Sequence, residues 1–305
     1  MALTYDQISA ITEKKFLPKM VDNIFNSSAF LNRLKKKERP QDGGDKILAP
    51  LNYAVGTGGW YQGSDTLDTS DSEAITAAEY DWSQLYQNIS ITRRDELRNA
   101  GDAGKLNFVA SKMKIAEKSI REDLATGVFS DGTSKQIDGL ASVMSATSTL
   151  GGISGTTYSW WQANVDSSTT TLTIAAMQSL WGDVGNGDAG EYPTLILGSQ
   201  DQFDRYYNLL QPQQRFADAE TAKGGFTSLM FNGKPFLADS HCDSSSIYMV
   251  NEDYVFLAPH SQENMRFEKF MKPISQNIRV AKIYWMGALV CDNRRRMGIM
   301  SAITA

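Results

Sequence analysis

The chain has 305 residues, 41% of them hydrophobic and 21% charged, with a formal net charge of -5. That length supports one large domain or two smaller ones around a buried core, and that balance fits neither a disordered chain nor a membrane-embedded one. The longest apolar run, residues 283–291, is about half the roughly 20 residues that cross a bilayer.

The opening Met1-Ala2-Leu3-Thr4-Tyr5-Asp6 lacks a signal peptide's basic start and apolar stretch, so a cytoplasmic protein is expected. Cys242 and Cys291 form no C-x-x-C pattern and are too few for a disulfide framework; reduced thiols are expected. Charge is segregated along the chain. Residues 47–92 hold six acidic residues and no basic one, residues 160–265 hold thirteen acidic against four basic, and residues 266–305 hold eight basic against two acidic. Opposite-sign blocks of this kind suit a protein that packs against copies of itself, because they fix register and suppress wrong contacts.

In chain order, the first element reads as helical. Phe16, Met20, Ile24 and Phe25, then Phe30, Leu31 and Leu34, fall on one helical face. A basic run follows, Arg33, Lys35, Lys36, Lys37 and Arg39, opposed only by Glu38, and Pro40 with Gln41-Asp42-Gly43-Gly44 reads as a loop. The segment is expected to be an arm and not a compact subdomain. Its basic run is either a solvated helix end or an electrostatic contact with phosphate or an acidic surface.

Over residues 45–92 the apolar period falls to two. Lys46-Ile47-Leu48-Ala49-Pro50-Leu51 and Leu85-Tyr86-Gln87-Asn88-Ile89-Ser90-Ile91 read as an entering and a returning strand. Between them Gly56, Gly58, Gly59, Gly63 and a polar stretch over 64–72 are too long for a tight turn, which predicts a protruding loop. Trp60, Tyr61 and Trp82 imply that something outside the subunit holds it, since such rings gain little by staying in water.

The strongest helix is predicted next, with Asp102 as N-cap and Leu106, Val109, Met113, Ala116, Ile120 and Leu124 as one apolar stripe ending near Gly127. It spans about 35 Å at roughly 1.5 Å per residue. A linker rich in Gly, Ser and Thr is expected over 142–157. Ile174, Met177 and Leu180 suggest a helix, Thr194-Leu195-Ile196-Leu197 a buried strand, and Phe203, Tyr206, Tyr207 and Leu210 a further helix. Gln211-Pro212-Gln213-Gln214-Arg215-Phe216 reads as an exposed polar loop that breaks it. Residues 226–231 and 235–238 flank Asn232-Gly233 as a hairpin. Short strands at 247–250 and 254–257 and a long one over 278–290 complete a mixed α/β (α+β) fold, the long strand returning beside the long helix.

Residue types for catalysis are sparse. His241 and His260 are the two histidines, and although Asp239-Ser240-His241-Cys242 holds suggestive types, four consecutive residues should not converge as nucleophile, base and orienting acid. They also lack metal-ligand spacing. Gly56-Thr57-Gly58-Gly59 opens no helix and has no following Lys-Ser/Thr, which argues against a phosphate loop. No catalytic residue, metal or cofactor is expected; a soluble hydrolase using His241 or His260 is the remote alternative.

Several stretches stand out in order: Lys15-Phe16-Leu17-Pro18-Lys19-Met20-Val21-Asp22-Asn23-Ile24-Phe25, Asp42-Gly43-Gly44, Tyr61-Gln62-Gly63-Ser64-Asp65-Thr66-Leu67-Asp68, and Ala116-Glu117-Lys118-Ser119-Ile120-Arg121-Glu122-Asp123-Leu124. Later come Leu209-Leu210-Gln211-Pro212-Gln213-Gln214-Arg215-Phe216, Gly225-Phe226-Thr227-Ser228-Leu229 and Asp239-Ser240-His241-Cys242. In this order they resemble tailed-bacteriophage major capsid proteins with the Hong Kong 97-type fold.

The resemblance implies an N-terminal arm over 1–45, an extended loop over 46–92, and a peripheral domain over 93–159 whose spine helix has Leu106, Val109, Met113, Ile120 and Leu124 in its core. It further implies an axial domain over 160–265 and peripheral C-terminal strands over 266–305. On this resemblance Trp60, Tyr61, Asp65, Asp68, Asp71 and Glu73 would meet a neighbouring subunit, Gln211, Pro212, Gln213, Gln214, Arg215 and Phe216 would approach the capsomer axis, and Arg33, Lys35, Lys36, Lys37 and Arg39 would form a basic arm.

The implied function is self-assembly, through hexamers and pentamers, into the icosahedral shell of a virion around double-stranded DNA, built in the host cytoplasm and without a membrane. The implied partners are a portal protein, separate scaffolding and decoration proteins, and non-specifically contacted DNA. Some relatives carry a cleaved scaffolding segment before the arm; here a separate scaffolding protein, or none, is expected. Residues 47–92 contain no lysine to crosslink, so the shell is expected to be noncovalent. An encapsulin-like compartment of the same fold is the alternative.

Overall fold

The structure, a computed structural model, describes residues 4–68, 70, 73–98, 102–185, 191–214 and 229–304. Helix α1 (Tyr5–Ile11) opens at Thr4, whose hydroxyl accepts from Gln7 N–H while the Gln7 side chain accepts from Thr4 N–H. A π-helical turn (Thr12–Phe16) leads without a break into α2 (Leu17–Ser27), whose second residue, Pro18, has no N–H to donate. Ser28 then caps α3 (Ala29–Lys36) by accepting from Leu31 N–H. Met20, Ile24, Phe25, Phe30, Leu31 and Leu34 are all buried in the main core. The predicted helical stripe is present, but the segment does not stand off as an arm: this much apolar surface is covered by the body of the chain.

Strands β1 (Ile47–Asn52) and β2 (Ile75–Tyr80) pair antiparallel from Ile47↔Tyr80 to Asn52↔Ile75. Sequence reading missed β2, whose Thr76-Ala77-Ala78-Glu79 is weak in β-formers. The returning strand, β3 (Ser83–Thr92), belongs to another sheet, so the loop proper shrinks to residues 53–74. Tyr80 fixes the root of this hairpin: its hydroxyl donates to the Cys291 carbonyl at 2.8 Å and accepts from Cys291 N–H at 3.2 Å.

After α4 (Arg93–Arg98), the long helix α5 (Asp102–Phe129) buries Val109, Met113, Ala116, Ile120 and Leu124, with Leu106 half-buried at its start. It packs against α2 and β3. Residues 142–157 are not a loose linker; they contain the end of α6 (Leu140–Val143) and a small hairpin, β4 (Thr149–Leu150) and β5 (Ile153–Ser154).

The rest of the chain alternates: β6 (Asn164–Asp166), α7 (Ile174–Gly185), β7 (Leu195–Gly198), α8 (Gln200–Gln214), β8 (Met230–Phe231), β9 (Lys234–Ala238), β10 (Ile247–Val250), β11 (Val255–Pro259), β12 (Arg266–Met271), β13 (Ile278–Cys291) and β14 (Gly298–Met300). Asn232 and Gly233 have φ of +48° and +75°, the left-handed pair that a two-residue turn between Phe231 and Lys234 requires. The part of this predicted hairpin at 226–228 lies outside the described residues.

Six strands form one sheet in the order β6-β14-β10-β7-β9-β8, and β13 is the spine of the other, pairing with β11, β12 and β3. The long helix therefore meets this second sheet chiefly through β3, which runs beside β13 from Ile278↔Thr92 to Gly287↔Ser83. Sheet membership crosses the expected boundary near residue 265: β11, before it, joins β13, while β14, beyond it, joins β10 and β6. The period of two in the central strands links two cores. Leu195, Leu197, Tyr248 and Val250 face the main one, whereas Ile196, Ile247 and Met249 face a smaller one closed by α7 and α8.

Candidate assembly surfaces

Among the described residues, the tip of the loop over residues 53–74 carries the largest uncovered aromatic surface. Gln62 N–H donates to the Asp65 carboxylate at 2.9 Å and Asp65 N–H to the Gln62 carbonyl at 3.3 Å, a tight turn in which Gly63 takes φ +60°. The backbone N–H of Ser70 bonds Asp68 at 2.9 Å and holds its carboxyl below the usual range. Trp60, 105% exposed, and Tyr61, 67% exposed, line an open concavity with Asp65, Leu67 and Asp68. Glu73 is exposed, and Asp71 lies outside the described residues. At the root, Lys46 neutralises Glu79 at 3.1 Å and Asp81 at 3.8 Å, which leaves the unpaired acids towards the tip. Trp82 does not share the fate expected for it. Its indole N–H donates to the Gly44 carbonyl at 2.9 Å and its ring meets His260 edge-on, so it is held within the chain.

The basic run is spent internally. Arg33 makes a two-pronged pair with Glu252, both contacts at 2.6 Å, and that hydrogen bonding raises its pKa. Lys37 meets Asp253 at 2.6 Å, Lys35 meets Asp22 at 3.3 Å, and Arg39 lies 3.5 Å from Asp292 and over the Phe256 ring. Lys36 is exposed and makes no ion pair among the described residues. Of the two readings of this run, an acidic surface is met, and it belongs to the same chain.

Sequence reading missed Arg294, which is completely buried. Its guanidinium donates to the carbonyls of Val143 at 3.0 Å, Ser142 at 2.9 Å and Ser148 at 3.0 Å, to the Ser148 hydroxyl, and to the Ser145 carbonyl. Burial lowers its pKa, and carbonyl dipoles take the place of a carboxylate. This arginine is what orders the Ser-rich stretch after α6. In sequence it is hidden within Arg294-Arg295-Arg296, where nothing marks which residue turns inward.

His241 and Asp239 do converge, against expectation: Nδ1 lies 3.0 Å from Asp239 Oδ1, and Nε2 lies 3.3 Å from Glu122 Oε1 on α5. The Ser28 hydroxyl donates to the other Asp239 oxygen at 2.5 Å. This order of groups does not activate a nucleophile, because the carboxylate stands between hydroxyl and imidazole. Ser240 Oγ is 3.4 Å from Nδ1, but that nitrogen's proton is directed at Asp239, leaving no lone pair for the hydroxyl. Cys242 is buried, which pushes its thiol up, away from reactivity. The His260 ring nitrogen accepts from Gln262 N–H at 3.1 Å and serves a turn.

The capsomer-axis stretch also differs from expectation. The backbone of α8 stays helical through Gln214, so Gln211, Pro212, Gln213 and Gln214 extend the helix instead of ending it. A proline near the end of a helix removes only one of its hydrogen bonds. Arg215 and Phe216 lie outside the described residues. The stripe predicted for α5 is in place, from Val109 to Leu124.

No family model matches the sequence, and no curated protein matches it. Solved structures do. The chain is similar to a subunit of the cyanophage A-1(L) capsid asymmetric unit, at 17% identity and a TM-score of 0.68, over 91% of this chain and 93% of that one. It is similar to the capsid of the native GTA particle, at 11% identity and a TM-score of 0.60, over 89% and 90%. It is also similar to an encapsulin complex from Synechococcus elongatus PCC 7942, at 12% identity and a TM-score of 0.53, over 89% and 87%. The fold is the Hong Kong 97-type capsid fold.

Proposed function

We propose that this chain is the major capsid protein of a tailed bacteriophage, a structural protein that assembles with copies of itself into an icosahedral shell around double-stranded DNA. The observation that carries this reading is a likeness to a phage capsid subunit that runs nearly end to end in both chains. The uncovered Trp60 and Tyr61 on an acidic loop support it, since they gain most when a neighbouring subunit covers them. In the shell, the loop over 53–74 reaches a neighbour, and residues 211–216, at and beyond the end of α8, lie towards the capsomer axis. Assembly takes place in the host cytoplasm with a portal protein and separate scaffolding or decoration proteins. Contact with DNA is non-specific and falls to cations that make no ion pair among the described residues, Lys36 within the run among them.

Expression of the chain followed by electron microscopy should reveal closed particles, and phage particles containing it should protect long double-stranded DNA from nuclease. A chain that stays monomeric under all assembly conditions overturns the proposal. The likeness to an encapsulin complex favours one second reading, a compartment for protein cargo. Particles that co-purify with a stoichiometric enzyme and without DNA would establish that reading instead.

A further inference from the structure

Strand β13 turns alternate side chains inward, so that Ala281, Ile283 and Trp285 are buried on one face, with Gly287 next in the row. A side chain would not fit at 287. A Cβ there would lie 2.8 Å from Trp285 Cζ2 and 2.9 Å from the Ala258 carbonyl oxygen, so the indole is laid over a residue that has none. The ring is 1% exposed, yet its Nε1–H has no hydrogen-bond partner among the described residues. A buried donor left unmet forfeits the hydration it had in the unfolded chain, and for that reason nearly all such groups are paired.

Trp285 lines a cavity of about 210 Å³ where the last turns of α5 approach the start of β3. Leu124 on α5, Ile137 in the segment after it, and Leu85, which is the register partner of Trp285 across β3 and β13, give it apolar walls. Gly127 keeps the α5 side open: a Cβ there would meet the Ile137 side chain at 3.4 Å and 3.7 Å. Glycine is a poor helix former, so this position in α5 is explained by the space beside it and not by the helix.

The walls specify what fits. Asp123, Lys135, Gln84 and Gln136 are exposed and form the rim, whereas the buried lining is apolar apart from the one indole donor. The Ser83 hydroxyl, half-buried between them, already donates to the Gln136 carbonyl at 3.4 Å. A carboxylate at depth would lose its hydration with no buried cation to meet it, and at the rim Asp123 offsets Lys135. A hydrocarbon would leave the N–H unmet. A neutral carbonyl on a compact apolar body satisfies both the donor and the walls. The volume suits a six-membered ring, since an apolar cavity of about 150 Å³ is enough for benzene.

We infer that the cavity between α5, β3 and β13 is a binding site for a small neutral carbonyl compound, its oxygen accepting from Trp285 Nε1–H and its body lying against Leu85, Leu124 and Ile137. The site lies within one subunit and stands whether or not the chain forms a shell. A ligand there binds the folded chain and touches helix and sheet together, so it raises the melting temperature as its concentration rises.

The probes are cyclohexanone and methylenecyclohexane, which differ by an oxygen in place of a CH₂ group. Binding of each volatile compound to the full chain is read by headspace gas chromatography, in the parent and in Trp285→Phe, which keeps a ring and removes the N–H. One cyclohexanone should bind per parent chain. The ratio of its affinity to that of methylenecyclohexane should fall about three- to tenfold in Trp285→Phe, a comparison in which the different hydration of the two probes cancels. Gly127→Leu, which fills the cavity from α5, should abolish binding of both. No saturable binding of cyclohexanone by the parent, an unchanged ratio in Trp285→Phe, or full binding by folded Gly127→Leu overturns the inference. Cyclohexanecarboxylate, followed by dialysis, should bind more weakly than the ketone; tighter binding overturns the neutral class. If Trp285→Phe does not fold, the infrared carbonyl stretch of cyclohexanone bound to the parent decides. A band below its frequency in hexane supports the hydrogen bond, and a band at the hexane frequency overturns it. If Gly127→Leu does not fold, Leu85→Trp fills the cavity from β3 in its place.

Discussion

Two segments of this chain read in sequence as reaching away from its body, the first forty residues and the loop over 53–74, and they have opposite fates. The first folds back: Phe25, Phe30 and Leu31 lie in the main core, and Arg33, Lys37 and Arg39 find carboxylates on the far side of the sequence. The loop does not, and Trp60 stays in water. Net charge does not separate them, since both carry a one-sign run. What separates them is apolar spacing. Seven large side chains at helical intervals can be buried together and offset the entropy of ordering the segment, whereas a stretch with four glycines and two adjacent rings has no face to bury.

That contrast can be broken most forcefully at the floor on which the N-terminal helices rest. Ile120 is wholly buried on α5, which packs against α2, and Ile120→Asp places an unpaired carboxylate there. The cost should be several kcal/mol, enough to unfold a domain of ordinary stability, and the variant should be insoluble or lack a cooperative urea transition. A soluble variant with a normal transition would mean that the wrong face of α5 is inside.

Within the N-terminal segment itself, Phe30→Ala removes a ring that is fully buried and tilted against Phe129. A loss of about 3–5 kcal/mol is expected from urea unfolding of the unassembled chain. A free arm would lose nothing, so this one number separates the two descriptions of residues 1–45. Glu252→Gln should cost less. It keeps the shape of the side chain, 7% exposed, but removes the charge that Arg33 meets with two hydrogen bonds. About 1–3 kcal/mol is expected for a charge-assisted contact, towards the lower end because Arg33 is more than a third exposed and can turn to water.

How much of this was legible in sequence follows from how local each signal is. The stripes of α2, α3 and α5, the long β13 and the Asn232-Gly233 turn depend on residues within a few positions of one another, and they were readable. Pairing is not local. Nothing in residues 75–80 announces that they, and not 85–91, partner β1, or that β3 crosses to β13. Burial of single polar groups is less legible still: Arg294 turns inward and Arg295 does not, although they are adjacent and chemically identical. The sites at issue show the same limit. The acidic loop was evident as a gap in the basic residues, but Leu85, Leu124 and Trp285 come from separate segments and frame a cavity only once α5 packs on β3 and β3 lies beside β13.

The smallest effect on folding is expected where the effect on assembly is largest. Trp60 makes no ring contact among the described residues and is as exposed as an indole can be, so Trp60→Ala removes nothing that the isolated chain uses. Its urea midpoint should move by less than about 0.5 kcal/mol, the range of surface changes away from special features. Particle formation should fall sharply all the same, because an indole buried at the centre of an interface is the kind of residue on which binding concentrates. Phe30→Ala gives the reverse pattern, a large loss of stability in a chain whose loop is untouched. If Trp60→Ala instead lowers the urea midpoint as Phe30→Ala does and leaves assembly of the folded fraction unchanged, the loop is packed on its own subunit, and the division between a folded-in segment and an outward-reaching one is lost.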